Sequence, residues 1–379
     1  MQRRKFGAHD FDVSALGFGC MRLPVIDNQP DKIDEDKTGE MIRYAVDNGV
    51  DYVDTAFNYH REQSEVVVGR ILKDGYRDRV NLATKCPTWL IEKHGDFDRY
   101  LDTQLSKLQT DHIDMYLLHS LGKERWGVLV EADVFRFLDR AKQDGRILNA
   151  GFSFHDDVDT FKAIVDSYDW DFCQIQYNYM DENFQAGTEG LKYAAGRNLA
   201  VVIMEPLRGG RLVQNVPDEV RGIMARSGVS RTPADWALRW VWNHPEVSVV
   251  LSGMGELKQV KENIETACTA LPNSLTDEEL ALFDEVKAFY RGRVQVDCTG
   301  CEYCMPCPQG ISIPNLFETY NEAHIYSTLD RLANNYERLT KNYGDPANCA
   351  ECGQCEEACP QHLLIREHLK QIREKLGNR

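Results

Sequence analysis

Eight short apolar runs, each leading into a helical stretch, constrain this chain more than any other feature. They fall at residues 16–20, 52–56, 80–85, 113–119, 147–153, 172–178, 199–206 and 247–253. Most are continuous rather than alternating, the pattern of parallel strands covered on both faces. Helical periodicity fills the intervals, for example at 38–48, 62–73, 97–109 and 131–143, and Gly49, Gly75 and Gly145 stand where helices would end in a left-handed cap. Thr232-Pro233-Ala234-Asp235 opens another helix, with Pro at its first position. Eight strand–helix units in about 250–290 residues is the arithmetic of a (β/α)8 TIM barrel. A doubly wound open sheet is the alternative. It wants a Gly-rich turn after its first strand, and Gly17-Phe18-Gly19-Cys20 lacks the third glycine of that fingerprint.

A further helix at 276–290, with Thr276 as cap and Glu279 three residues on, closes this part. Beyond it the composition changes. Of 12 cysteines, eight lie between Cys298 and Cys359. The other four (Cys20, Cys86, Cys173, Cys268) are scattered and read as ordinary buried thiols, Cys86 on the opposite strand face from Lys85. A dense Cys tract in a long chain of this kind reads as metal ligation rather than a disulfide scaffold.

The second run, Cys349-x2-Cys352-x2-Cys355-x3-Cys359-Pro360, has the bacterial ferredoxin spacing for [4Fe–4S] ligation. The first, Cys298-x2-Cys301-x2-Cys304-x2-Cys307-Pro308, is one residue short before its fourth Cys. Two-cluster ferredoxins exchange their fourth ligands. That rule assigns Cys298, Cys301, Cys304 and Cys359 to one cluster and Cys349, Cys352, Cys355 and Cys307 to the other. The shortened spacing leaves Cys307 the open assignment. Zinc ribbons also use C-x2-C pairs; tandem x2 spacing and the following Pro favour iron–sulfur. The intervening residues 308–348 look helical at 313–323 and 326–343. The expected division is a barrel over 1–290 and a small, mainly helical, ferredoxin-like domain over 291–379.

Lys plus Arg number 44 against 60 Asp plus Glu, a net charge of −16. An acidic surface repels phosphate backbones, so nucleic acid is not an expected partner. No apolar run reaches the ~18 residues of a membrane span. The basic start, Met1 to Phe6, meets Asp10 and Asp12 where a signal peptide would be apolar. A cytoplasmic protein is expected.

Barrel chemistry sits at the carboxyl ends of strands. There the chain carries Val53-Asp54-Thr55-Ala56-Phe57-Asn58-Tyr59, Ala83-Thr84-Lys85 and Tyr116-Leu117-Leu118-His119. With Leu16-Gly17-Phe18-Gly19, these pieces resemble the aldo–keto reductase superfamily over residues 1–290, and with the Cys runs the chain resembles its subgroup with a C-terminal ferredoxin-like domain. The resemblance implies a catalytic tetrad of Asp54, Tyr59, Lys85 and His119. A ketone accepting hydride needs a proton donor, and a free Tyr, with a pKa near ~10, is a poor one. Lys85 is expected to lower the Tyr59 pKa, Asp54 to hold Lys85, and His119 to orient the substrate oxygen.

The resemblance also implies cofactor contacts. Ser153 and Gln174 match the carboxamide-holding positions; Phe154 stands where the family has Asn; Met204 takes the place of the stacking aromatic. Gly19, Leu207, Gly209, Gly210 and Leu212 fall on the pyrophosphate side, and Gly253, Glu262 and Asn263 on the adenine side. The basic residues that grip an NADP 2′-phosphate are replaced by Gly253, Met254 and Gln259, with Lys258 one position away. NADP, NAD and a flavin therefore stay open. The expected function is reduction of a small-molecule carbonyl, or oxidation of an alcohol, coupled through two [4Fe–4S] clusters to a one-electron carrier protein. The alternative is an electron-transfer or redox-sensing module whose barrel has lost reductase activity. Trp89 and Trp126 are candidates for the substrate pocket.

Overall fold

The computed structural model describes residues 1–298, 300, 302–359 and 361–377. They form two compact units.

The first unit spans Met1–Gly210 and Arg231–Thr276. A hairpin, β1 (Arg3–Lys5) and β2 (Asp12–Ser14), precedes eight strands: β3 (Leu16–Gly19), β4 (Tyr52–Asp54), β5 (Asn81–Cys86), β6 (Ile113–Leu121), β7 (Ile147–Phe154), β8 (Phe172–Gln176), β9 (Ala200–Met204) and β10 (Val247–Ser252). All eight pair in parallel with their sequence neighbours, and β10 closes onto β3 with Val250 opposite Leu16. The fold is a closed (β/α)8 barrel and not an open sheet. Tyr52, Ala83, Met115, Leu117, Phe172, Val202 and Val249 fill its interior. The hairpin belongs to that core through Phe6 and Val13, both fully buried. Its three-residue strands carry mostly charge and give no apolar run to read. Arg4, the inward residue of β1, donates to the carbonyls of Trp242 (2.6 Å), Val247 (2.9 Å) and His244 (3.1 Å), and burial lowers its pKa to about 10.

The helices follow the expected intervals with shifted ends. Glu35–Asp47 begins three residues before the expected start because Asp34 caps it, its carboxylate accepting from Lys37 N. The expected helix at 131–143 is Val134–Gln143, starting late because Asp133, at φ 62°, parts it from a separate helix Lys123–Glu131. Thr232 accepts from Asp235 N at 3.1 Å and starts Pro233–Trp242 as expected.

The second unit comprises Arg211–Ser230 and the chain from Asp277 onward. Helix Asp218–Ala225 belongs here with helix Asp277–Arg291, and Arg226 pairs with Glu285 at 2.5 Å. Asn321 clamps the entry to the first Cys run, accepting from Val296 N (2.9 Å) and donating to Val296 O (2.7 Å). Between the runs stand Ile313–Ile325, Leu329–Asn334 and Tyr336–Tyr343; the latter two, expected as one, break at Asn335. Gly344, at φ +79°, follows. A Cβ there would lie 2.5 Å from the Gly310 carbonyl, so only glycine lets these loops meet. The unit's core packs Ile313, Leu316 and Phe317 against Ile365, Leu369, Ile372 and Leu376 of a last helix, Ile365–Leu376. That helix has i, i+4, i+7, i+11 apolar spacing and adds to the helices expected between the Cys runs. Among the described residues no helix is long and apolar enough to cross a membrane.

Candidate active site and cysteine-lined cavities

Barrel register brings the four tetrad candidates to one end. Asp54 closes β4 opposite Ala83, and Lys85 lies two residues further along the same face of β5. Lys85 is in turn opposite Leu117 of β6, and His119 lies two residues beyond it. The side-chain alternation that sends Ala83 and Leu117 into the core therefore sends Lys85 and His119 to the carboxyl end of the interior. Tyr59 comes from the turn after β4, where Tyr59 N donates to Ala56 O at 3.2 Å.

Lys85 is fully buried. Its ammonium donates to both oxygens of Asp54 and to the Thr55 carbonyl, each at 2.7 Å, and lies 3.5 Å from the Tyr59 hydroxyl. Burial alone would strip its proton; the Asp54 carboxylate, with the hydrogen bonds to Asp54 and Tyr59, outweighs that and holds Lys85 charged. The Thr55 carbonyl is a third acceptor that no side-chain motif reveals. For Tyr59 the expected pull of Lys85 is present but outweighed. Burial, the larger influence, raises the phenol, Lys85 pulls it down, and the net direction is up. Tyr59 therefore carries its proton at neutral pH.

His119 packs edge-on to Tyr59 with ring centroids 6.1 Å apart, and Trp89 lies 5.3 Å from it. Burial, then the charges of Lys85 and His155, lowers its pKa well below the usual imidazole range. Its Nδ1 is buried with no hydrogen-bond partner. Trp89 thus faces the site. Trp126 packs on Phe135 and Trp170 instead. Behind β5, Gln104 from helix His94–Leu108 donates to Lys85 O (3.0 Å) and to buried Glu65 (2.6 Å), while Thr84 donates to Glu65 at 2.6 Å. Cys86 faces this outer layer, beside Tyr116.

The carboxamide candidates meet at the ends of β7, β8 and β9. Ser153 is buried and accepts from Ser120 N at 2.7 Å. Gln174 donates to the Met204 sulfur at 3.4 Å, and its Oε1 is buried without a partner, so it can accept from a ligand amide. Phe154 turns the other way, onto Phe161, with centroids 5.1 Å apart. Gly19 sits against the end of β10, where a Cβ would come 3.3 Å from Ser252 O. Leu207 precedes the turn holding Gly209 (φ 65°) and Gly210 (φ 90°). Asn263 is buried and donates to Ser252 Oγ at 3.0 Å, near Gly253, whereas Glu262 pairs with Lys258 at 3.7 Å on the helix surface. Leu212 is buried within the second compact unit.

In the second unit the cysteines line two cavities. Cys304, Cys307, Cys349, Cys352 and Cys355 line one of about 210 Å³. Cys298, Cys304 and Cys359 line a smaller one of about 20 Å³, with Phe317 and Ile365. Cys307 thus lies with the second run and Cys359 with the first. Cys301 and Pro360 lie outside the described residues. Among the described residues no three His, Cys, Asp or Glu side chains converge closely enough for a single metal ion. Arg366 braces the larger cavity, its guanidinium 2.7 Å from Glu356 and its N–H donating to the same carboxylate at 2.8 Å. Of the scattered thiols, Cys20, Cys86 and Cys173 are buried as expected; Cys268 is exposed, because the last turn of its helix points it to solvent.

Residues 15–288 match the model of the aldo/keto reductase family, and residues 297–364 match that of a 4Fe-4S dicluster domain. The chain is 28% identical over 314 residues to a probable aldo-keto reductase of Glycine max, covering 74% of this chain and 87% of that protein. It is similar to an aldo-keto reductase of Bacillus halodurans solved in its holo form, with TM-score 0.63, 27% identity, and 75% and 96% of the two chains covered. An aldo/keto reductase of Klebsiella pneumoniae, solved in complex with NADP and acetate, has TM-score 0.60 and 27% identity over 75% of this chain and 95% of that one.

Proposed function

The chain belongs to the aldo/keto reductase family and carries a C-terminal 4Fe-4S dicluster domain, and on that premise we propose that it reduces a small-molecule carbonyl, or oxidises an alcohol, with NADP(H) or NAD(H), and passes single electrons through two [4Fe–4S] clusters to or from a carrier protein. The reductase chemistry belongs to residues 1–290 and the clusters to 291–379.

The observation that carries the reading is the Lys85 ammonium, gripped by both oxygens of Asp54 and facing the Tyr59 hydroxyl. A bound nicotinamide supplies hydride. Tyr59 supplies the proton to the carbonyl oxygen as charge develops there, and the phenolate left behind is stabilised by Lys85. Asp54 keeps Lys85 charged and aimed. Neutral His119 orients the substrate oxygen, and Trp89 forms an apolar wall beside it. The partnerless Gln174 Oε1 with Ser153 suits a carboxamide. Cys307 with Cys349, Cys352 and Cys355, and Cys298, Cys301 and Cys304 with Cys359, are the two ligand sets. Clusters exchange one electron at a time, so coupling them to hydride chemistry requires a two-to-one electron converter, a role that a flavin fills.

The test is Tyr59→Phe in cluster-replete protein, assayed anaerobically with small aldehydes and either nicotinamide. Loss of the general acid should lower kcat by about 10²- to 10⁴-fold while nucleotide affinity stays unchanged. A variant that keeps full carbonyl turnover overturns the assignment.

A further inference from the structure

Arg22 ends the short turn Cys20–Arg22 after β3, and its side chain runs across two glycines from the far side of the barrel sequence. A Cβ on Gly209 would lie 3.0 Å from an Arg22 guanidinium nitrogen and 3.5 Å from the Glu205 carboxylate. A Cβ on Gly253 would lie 3.5 Å from the Arg22 Cβ, Cγ and Cδ. The Gly209 contact is tight, so glycine there leaves the guanidinium its place, while Gly253 lies at ordinary van der Waals distance from the Arg22 stem. Its guanidinium ends 3.8 Å from Glu205, in an ion pair with side-chain exposures of 51% and 32%.

The backbone of this loop is fixed although the guanidinium is not buried. Leu23 N donates to His60 Nε2 at 3.2 Å, His60 Nδ1 lies 2.8 Å from Pro30 O, and Val25 bridges to Ile33. Gly209 follows β9 and Gly253 follows β10, the seventh and eighth barrel strands, after which barrels commonly bind phosphate. Arg208, next to Gly209, is engaged, 3.4 Å from the buried Asp181. A long, half-exposed pair such as Arg22–Glu205 is weak and easily exchanged for a better acceptor. A guanidinium fork matches the paired oxygens of phosphate.

We propose that Arg22 is a ligand of the dinucleotide pyrophosphate, releasing Glu205 when the nucleotide binds. The inference rests on the nicotinamide reading above and deepens it.

The test is equilibrium binding of NADH, NADPH and ADP-ribose to full-length, cluster-replete protein, followed by calorimetry. ADP-ribose carries the pyrophosphate without the nicotinamide. Arg22→Ala should weaken all three by one common factor, on the order of 10- to 100-fold. Arg22→Lys should fall between, because it keeps charge and loses the fork. Glu205→Gln should tighten all three by removing the competing carboxylate. Unchanged affinities in Arg22→Ala, or weakening confined to NADPH, which would make Arg22 a reader of the 2′-phosphate, overturn the proposal while leaving the nicotinamide reading intact. Wild-type protein that binds none of the three overturns both.

Discussion

Tyr59 and His119 face each other at the mouth of the barrel, and burial drives each toward its neutral form: the phenol keeps its proton and the imidazole sheds one. For His119 the consequence reaches stability. Its folded pKa lies well below the usual 6.5, so below that pH the unfolded chain binds a proton that the folded chain excludes. The contribution of neutral His119 is complete above pH 6.5 and is lost as pH falls beneath it. Burial shifts His60, His155, His244 and His324 in the same direction. Thermal unfolding of cluster-replete protein should therefore show Tm falling between pH 7.5 and 5.5, with a shallower fall in His119→Asn. A Tm that is level or rises toward acid would contradict this. Lys85 shows the competing case. Burial acts against its charge, and two neighbouring groups reverse the outcome.

At the scale of elements, the two Cys runs differ by a single residue, and that difference decides how Cys307 can be assigned. The spacing leaves it uncertain as a ligand. The fold brings Cys307 to the cavity lined by Cys349, Cys352 and Cys355, and leaves Cys359 beside Cys298 and Cys304. With about four irons per cluster, Cys307→Ser in anaerobically purified protein should remove one cluster and leave the other, so iron per chain falls by about half. Iron content and EPR intensity equal to wild type would show that Cys307 is not a ligand. The helices between the runs have a role that follows from their packing. Ile313, Leu316 and Phe317 meet the terminal helix in one core, and Phe317 and Ile365 also wall the smaller cavity. A cluster held there would be shielded by apolar side chains, which would restrict water and tune its potential.

At the scale of the whole molecule the prediction concerns the two chemistries together. If barrel and clusters share one electron path, anaerobic addition of NADPH or NADH should bleach the cluster absorbance and produce a reduced-cluster EPR signal. Clusters that stay oxidised with either nucleotide, yet respond to dithionite, would separate the nicotinamide chemistry from the clusters.

The barrel was legible because its strands are buried on both faces, so local apolar runs reported them directly and in order. The convergence of Asp54, Tyr59, Lys85 and His119 was legible because Lys85 and His119 interrupt apolar runs at strand ends, and the ferredoxin spacing was legible because ligand geometry fixes short intervals. Three things were left to the tertiary structure. The net direction of the Tyr59 pKa is a sum of burial and charge, and the sequence displayed only the charge. The spacing rule already pairs Cys359 with the first run and Cys307 with the second, but which cavity each lines depends on how two runs separated by three helices fold back on each other. The placement of Arg22 across Gly209 and Gly253 exists only because β10 closes onto β3, bringing the first and last strand ends of the barrel side by side. A local pattern records the period and burial of one element; a contact between distant elements is set by closure of the sheet.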